Sequence, residues 1–368
     1  MTFKANYTKY EALTACPGRH ISAMAAGICF VLALLTITAE GQTSLIPAGT
    51  AGVAQPASVP SAAPATQSSG TTTTAPLPQA EQQAPADGED SVFVFKKEVQ
   101  EVSLHATVVD DQRRLVTNLP REAFTVFEDG VAQKTTSFHR NDVPVAMGIV
   151  IDNSGSMREK RDKVNQAVLN LIKASNPDDE IFIVNFSQDS YLDQDFTSNI
   201  DLLQQALHKV SSQGSTALYD AIVASDVHLK NNTRVDRKVL LVITDGRDNA
   251  SQETLQQAAR RLQQESGPTL YAVGLLSDEM QQSGVDALQS LADSTGGVAF
   301  FPKGLDEVDE ITRTVARDIR SQYTIGYKPT NPRQNSEYRK ILVTAQAPGY
   351  RKLTVRTRSG YYPGEAVR

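Results

Sequence analysis

Five oxygen-bearing side chains in three separate stretches have the chemistry to hold a divalent cation. They are Asp152, Ser154 and Ser156 in "GIVIDNSGSM", Thr216 in "SSQGSTALYDAI", and Asp245 in "KVLLVITDG". Two carboxylates and three hydroxyls are hard oxygen donors, suited to Mg²⁺, Mn²⁺ or Ca²⁺ and unsuited to zinc. The first stretch presents its three donors at alternate positions directly after an apolar run. A purely local role competes with this reading, because Asp and Ser are common helix caps and a helix beginning near Met157 would use Asp152 and Ser154 that way. Thr216 and Asp245, each at the end of another element, favour the cation.

Convergence of these residues requires a particular scaffold. Between residues 144 and 322, short apolar runs alternate with stretches whose apolar residues recur every three or four positions. The runs 146–151, 181–186, 238–244, 269–275 and 298–301 read as strands, with a short edge strand near 191–196. Val164, Ala167, Val168, Leu171 and Ile172 share one helical face, and Leu203, Ala206, Leu207 and Val210 share another. Residues 307–322 read as a closing helix with Val308, Ile311, Val315 and Ile319 in one stripe. Strands separated by helices imply an α/β fold, a doubly wound, mostly parallel sheet covered on both faces. Ligands of such sheets collect outside the carboxyl ends of the strands, where the strand order reverses. Asp152 and Asp245 follow two such strands, and Thr216 precedes a helix in a loop loosened by Gly214.

The flanks are β in pattern. In 91–143, "VFVFKKEVQEVSLHATVVDD" alternates apolar and polar residues, and "EAFTVFEDGVAQKTTSF" reads as strand, Asp129-Gly130 turn, strand. In 323–368, "YTIGYKP", "YRKILVTAQ" and "YRKLTVRTRSGYY" return to the same pattern. Each flank alone has too few strands to bury two sheet faces. Val102, Leu104, Ala106 and Val108 in one flank and Ile341, Val343 and Ala345 in the other need a common partner. The expectation is one β-sandwich built from N- and C-terminal strands, with the α/β domain inserted into it.

Asp152-x-Ser154-x-Ser156, Thr216 and Asp245 in "VITDGRDN" resemble the metal-ion-dependent adhesion site of von Willebrand factor A domains. The flanks, "VTNLPREAFTVFEDGVAQKTTSF" and "YTIGYKPTNP" with "YRKILVTA", resemble those of acidobacterial VWFA-related proteins, which are exported. The resemblance implies that Ser154 and Ser156 bind the ion directly, Thr216 when a ligand is engaged, and Asp152 and Asp245 directly or through water. With most donors neutral, a bound cation keeps much of its charge, so an open coordination position attracts an Asp or Glu of a protein partner.

The chain has 368 residues and a net charge of −6, from 36 Lys and Arg against 42 Asp and Glu. No basic run is interleaved with aromatics, so nucleic acid is not an expected partner. The only cysteines, Cys16 and Cys29, lie in the N-terminal segment, which removes thiolate chemistry from the rest. Residues 1–41 read as an export signal: Lys4, Lys9 and Arg19 precede an apolar stretch at 21–39, and Ala39-Glu40-Gly41 suits cleavage before Gln42. Uncleaved, the stretch at 21–39 would anchor the chain in the inner membrane. Either way the chain is expected to be exported, as a periplasmic, membrane-anchored or secreted protein. Residues 42–90, rich in Pro, Ala, Ser, Thr and Gln, read as a disordered tether.

Three functions compete. The leading one is a non-enzymatic binding module, a metal-mediated adhesion or scaffold domain of the cell envelope. A metal-dependent phosphotransferase or hydrolase of haloacid dehalogenase type would also place an Asp after the first strand, but it wants a second acid where Ser154 stands. No Gly-x-Ser-x-Gly, His-Glu-x-x-His or phosphate-binding loop is present. The third is a structural envelope protein whose site is vestigial. The histidines show no ligand spacing and read as surface or strand residues, and 178–180 reads as a solvated acidic loop.

Overall fold

The computed structural model describes residues 101–140, 142–208, 212–275, 281–331 and 337–364. The expected signal or anchor, the tether, the start of the leading β segment and Val210 lie outside the described residues. Among the described residues, no helix is long and apolar enough to cross a membrane.

Four strands come first: β1 (Val102–Val109), β2 (Phe124–Glu128), β3 (Val131–Gln133) and β4 (Thr135–His139). The chain then enters the α/β region through β5 (Ala146–Asp152), α1 (Arg161–Ala174), β6 (Glu180–Phe186) and β7 (Ser190–Thr197). It continues through α2 (Ile200–His208), α3 (Leu218–Asn232), β8 (Lys238–Thr244), α4 (Leu255–Leu262) and β9 (Thr269–Gly274). Helix α5 (Gln281–Thr295), β10 (Ala299–Phe300) and α6 (Val308–Arg320) close this region. Strands β11 (Tyr323–Tyr327), β12 (Arg339–Ala345), β13 (Thr354–Arg356) and β14 (Gly360–Tyr361) follow.

The central sheet has the order β10-β9-β8-β5-β6-β7, parallel except for the antiparallel edge strand β7. Every residue of β5 is buried, as a strand covered on both faces requires. Its Met147, Ile149 and Ile151 pack with α1, α2 and α6, whereas Ala146 and Val150 pack with α3, α4 and α5 on the other face. Gly148 permits close approach of its neighbours in this packing. A Cβ there would lie 2.3 Å from the Phe182 ring and 2.7 Å from Leu240. The fold is therefore the doubly wound α/β class that the alternation of elements implies.

Both flanks contribute to each of two antiparallel sheets, ordered β13-β1-β11-β4 and β14-β12-β2-β3. Val102, Leu104, Ala106 and Val108 of β1 share one core with Phe124 and Val126 of β2, Tyr323 of β11, and Ile341 and Val343 of β12. In the first sheet every pair joins a strand from before the α/β region to one from after it, whereas in the second only β2–β12 does so, with β2–β3 and β12–β14 each within one flank. Alternating apolar residues of the two sheets meet across the sandwich.

The closing helix is shorter than the apolar stripe suggests. A 3₁₀ turn, Leu305–Glu307, precedes α6, which ends at Arg320. The acidic stretch before β6 is solvated only in part: Asp178 is exposed and Glu180 opens β6. Asp179 is buried and accepts the backbone N–H groups of Val145 and Asn176, both at 2.9 Å, which ties the start of β5 to the α1–β6 turn. His228 is likewise neither a surface nor a strand residue. It lies buried on α3, bonded to Asp195 at 2.8 Å and stacked on Phe196.

Candidate metal centre

Strand β5 pairs in parallel with β6 on one side and β8 on the other, so it marks the point where the strand order reverses. Asp152 is its last residue, and Asp245 directly follows the neighbouring β8, so the two carboxylates emerge side by side. Both are fully buried. The carboxylate of Asp152 organises the turn after β5: Oδ1 accepts the Ser154 N–H at 2.8 Å, and Oδ2 accepts the Thr244 hydroxyl at 2.5 Å. Burial pushes the Asp152 carboxyl above the usual carboxylate range, and the charge of Asp245 adds to the rise, while the Thr244 and Ser154 bonds oppose it.

The two serines face Asp245. The Ser156 hydroxyl donates to Asp245 Oδ1 at 2.8 Å and lies 3.2 Å from the Ser154 hydroxyl. Ser154 precedes a 3₁₀ turn, Gly155–Met157, but its side chain makes no capping bond, and α1 begins only at Arg161. Ser154 therefore caps no helix, while Asp152 does hold the local turn through the Ser154 N–H, and the Ser156 hydroxyl turns to the second aspartate. Thr216 is brought in from the loop before α3. Its N–H donates to Asn249 Oδ1 at 2.8 Å, and its carbonyl accepts the Asn249 N–H at 3.0 Å. A Cβ added to Gly246 would lie 3.5 Å from Thr216 Oγ1, which places that hydroxyl against the segment carrying Asp245.

All five residues singled out in the sequence thus gather at one end of β5 and β8. Neighbouring side chains hold them there. Asn153 pairs with Phe186 and Gln213 through its backbone, and its side chain accepts the Ser212 hydroxyl at 3.0 Å. Arg161, buried at the start of α1, donates to the Asp152 carbonyl at 3.3 Å and to the Asn185 side chain. Burial lowers its pKa to about 10, so it remains a cation. Asp248 accepts the Tyr219 N–H at 3.1 Å and fixes the start of α3. The fragment "TDGRDN" held the signal for Asn249, an amide side chain with no other work at a strand end. Among the described residues, no three His, Cys, Asp or Glu side chains form a metal-binding group. With two carboxylates and the rest hydroxyls, the donor set fits a hard cation held largely by neutral oxygens.

Residues 147–247 match the family model of the von Willebrand factor type A domain. The chain carries a domain of that family, spanning the strand that ends at Asp152 through the turn that holds Asp245. No curated protein matches it. Among solved structures it is similar to the PilB minor pilin of Streptococcus sanguinis, at 12% identity and a TM-score of 0.41 over 50% of this chain. The match spans 63% of that pilin's length. It is also similar to a von Willebrand factor type A protein of Catenulispora acidiphila, at 15% identity, TM-score 0.43, over 74% of this chain and 76% of that one. A third is the vWF domain of the type V pili tip protein Mfa5 of Porphyromonas gingivalis, at 13% identity, TM-score 0.40, over 48% and 97%.

Proposed function

We propose that this is an exported binding protein of the cell envelope whose A domain holds a divalent cation through Asp152, Ser154, Ser156, Thr216 and Asp245. Through that cation it would bind an acidic group of a protein partner. The observation supporting this most directly is the network in which Ser154, Ser156 and Asp245 are joined, with Asp152 and Thr216 against it. Mg²⁺ is the cation we favour, with Mn²⁺ and Ca²⁺ as alternatives of the same donor chemistry. When bound, the ion would act as a Lewis acid with one position open to a carboxylate. The chain's own contribution is to orient three neutral hydroxyls and two buried carboxylates before the ion arrives. Asp152 is poorly placed to attack a phosphate ester, because it is fully buried with both oxygens already accepting hydrogen bonds.

The test is calorimetric titration of the full chain with Mg²⁺, Mn²⁺ and Ca²⁺, followed by capture of envelope proteins in Mg²⁺ and release by chelator. Binding of one of these ions that Asp152→Ala abolishes, with partners released by EDTA, is the expected result. Partner capture that persists undiminished in excess EDTA would overturn the metal-mediated mechanism. Thr216→Ala should weaken partner capture more than ion binding.

A further inference from the structure

One cation of the chain's own already reaches the candidate centre. Lys160 is the residue before α1, and its backbone links the loop after β5 to the helix. Its N–H donates to the Met157 carbonyl at 2.9 Å, and its carbonyl accepts the Val164 N–H at 3.1 Å. From this fixed stem the ammonium pairs with Asp245 Oδ2, while Asp245 Oδ1 takes the Ser156 hydroxyl. The Lys160 side chain is 23% exposed and that of Asp245 is 0% exposed. A buried carboxylate left without a cation is strongly disfavoured, and a second one lies beside it in Asp152. The lysine stem is flexible and reaches solvent, so the ammonium can leave the carboxylate without unfolding the loop.

We infer that Lys160 is a tethered counter-ion that competes with the divalent cation for Asp245, stabilising the ion-free site and setting how tightly the ion binds. This rests on the metal reading of the site given above. Charge decides the competition. An ammonium and a divalent ion close to the same carboxylate repel each other, so the lysine must swing outward when the ion arrives, and the cost of that displacement is subtracted from ion affinity. Lys163, the third residue of α1, is the natural contrast, since it pairs with Asp306 and not with the centre.

The experiment compares the full-length wild-type chain with Lys160→Met, Lys160→Gln, Lys160→Arg and Lys163→Met. Each is titrated calorimetrically with MgCl₂ and MnCl₂ and melted in EDTA. Both neutral variants at 160 should bind the ion about tenfold tighter or more, and melt at a lower temperature in EDTA. Lys160→Arg, which keeps the charge, should stay near wild type, as should Lys163→Met. Ion binding by the neutral variants alone, with none by wild type, supports the proposal in its strongest form. If wild type binds the ion and Lys160→Gln binds it equally or more weakly, the competition is overturned while the metal site stands. If no protein binds either ion and none is stabilised by it, both readings fall.

Discussion

Glu128 and Arg339 form an ion pair at 2.6 Å inside the β-sandwich, with side chains only 2% and 5% exposed. Glu128 ends β2 and Arg339 begins β12, so the pair joins a strand from before the A domain to one from after it. The hydroxyls of Tyr327 on β11 and Tyr361 on β14 both donate to Glu128 Oε2. Burial, then the bond to Glu128, holds the Tyr327 phenol well above its ordinary range, so it stays a donor.

Removing one charge of this pair leaves the other buried and unpaired. Glu128→Gln, which keeps an acceptor for the tyrosines, should cost about 3–5 kcal/mol in urea unfolding. Glu128→Gln combined with Arg339→Met should recover part of that loss, because the stranded cation is gone. Equal stability of Glu128→Gln and wild type would mean that the pair is not desolvated in solution.

Addition of Mg²⁺ should raise the melting temperature of the chain. A ligand that binds only the folded state stabilises it by roughly 2.7 kcal/mol at about a hundred times its Kd. Asp152→Ala and Asp245→Ala should each lose this shift. The two differ in EDTA: Asp245→Ala removes the carboxylate that Lys160 pairs with and releases the lysine to solvent, whereas Asp152→Ala removes a carboxyl that burial already disfavours as an anion. A full Mg²⁺ shift in Asp152→Ala would remove that residue from the site.

The residues of the site were legible because each stands at the end of a strong local pattern. The apolar run of β5 stops at Asp152 and that of β8 stops before Asp245, and parallel pairing then sets them adjacent. Asp179 escapes a sequence reading because three acids in a row look solvated; only the fold shows the buried Val145 N–H and the part-buried Asn176 N–H that need an acceptor there. Lys160 carried no signal at all, since a lysine near a helix start is ordinary and its reach to Asp245 spans 85 positions of sequence. The capping box of Thr254 and Gln257 at the start of α4 is, by contrast, written in the sequence as Thr-x-x-Gln. The sandwich could be anticipated from the unpartnered alternation of its flanks, but its pairing depends on the long-range register of β1 with β11 and β2 with β12.

His105 on β1 supplies a pH dependence. Its half-buried ring lies 3.3 Å from Thr324 Oγ1, and burial, then the charges of Arg237, Arg358 and Lys238, lower its pKa to about 3. Unfolded, a histidine titrates near pH 6.5. Between the two values the unfolded chain binds the extra proton, so stability is complete above about pH 7 and falls as the pH drops toward 3. His105→Gln should remove about 1–2 kcal/mol of the wild-type loss between about pH 7 and 5, measured by urea unfolding at each pH. Parallel losses in the two proteins would show that the ring accepts its proton in the folded state.

Truncation before Tyr323 separates a shared sandwich from two independent β caps. The deletion removes both sheet neighbours of β1, which are β11 and β13, and the β12 partner of β2. Residues 101–140 would then hold one β2–β3 pair and two strands without sheet partners, β1 and β4, with Val102, Leu104 and Val126 stripped of the tyrosines and aliphatics that cover them. Two strands cannot bury a face alone. The A domain loses the contacts of Arg358 with the carbonyls of Glu265 and Gly267, the Tyr362–Gln263 pairing, and the ion pair of Arg356 with the buried Asp318 of α6. Its two cores, on either side of β5, draw no residue from beyond Ile319. Limited proteolysis of the truncated chain should therefore cut within 101–140 while leaving 146–320 intact and still stabilised by Mg²⁺. Full protection of 101–140 would mean that the leading strands fold without their C-terminal partners, and the shared sandwich would no longer be what stabilises them.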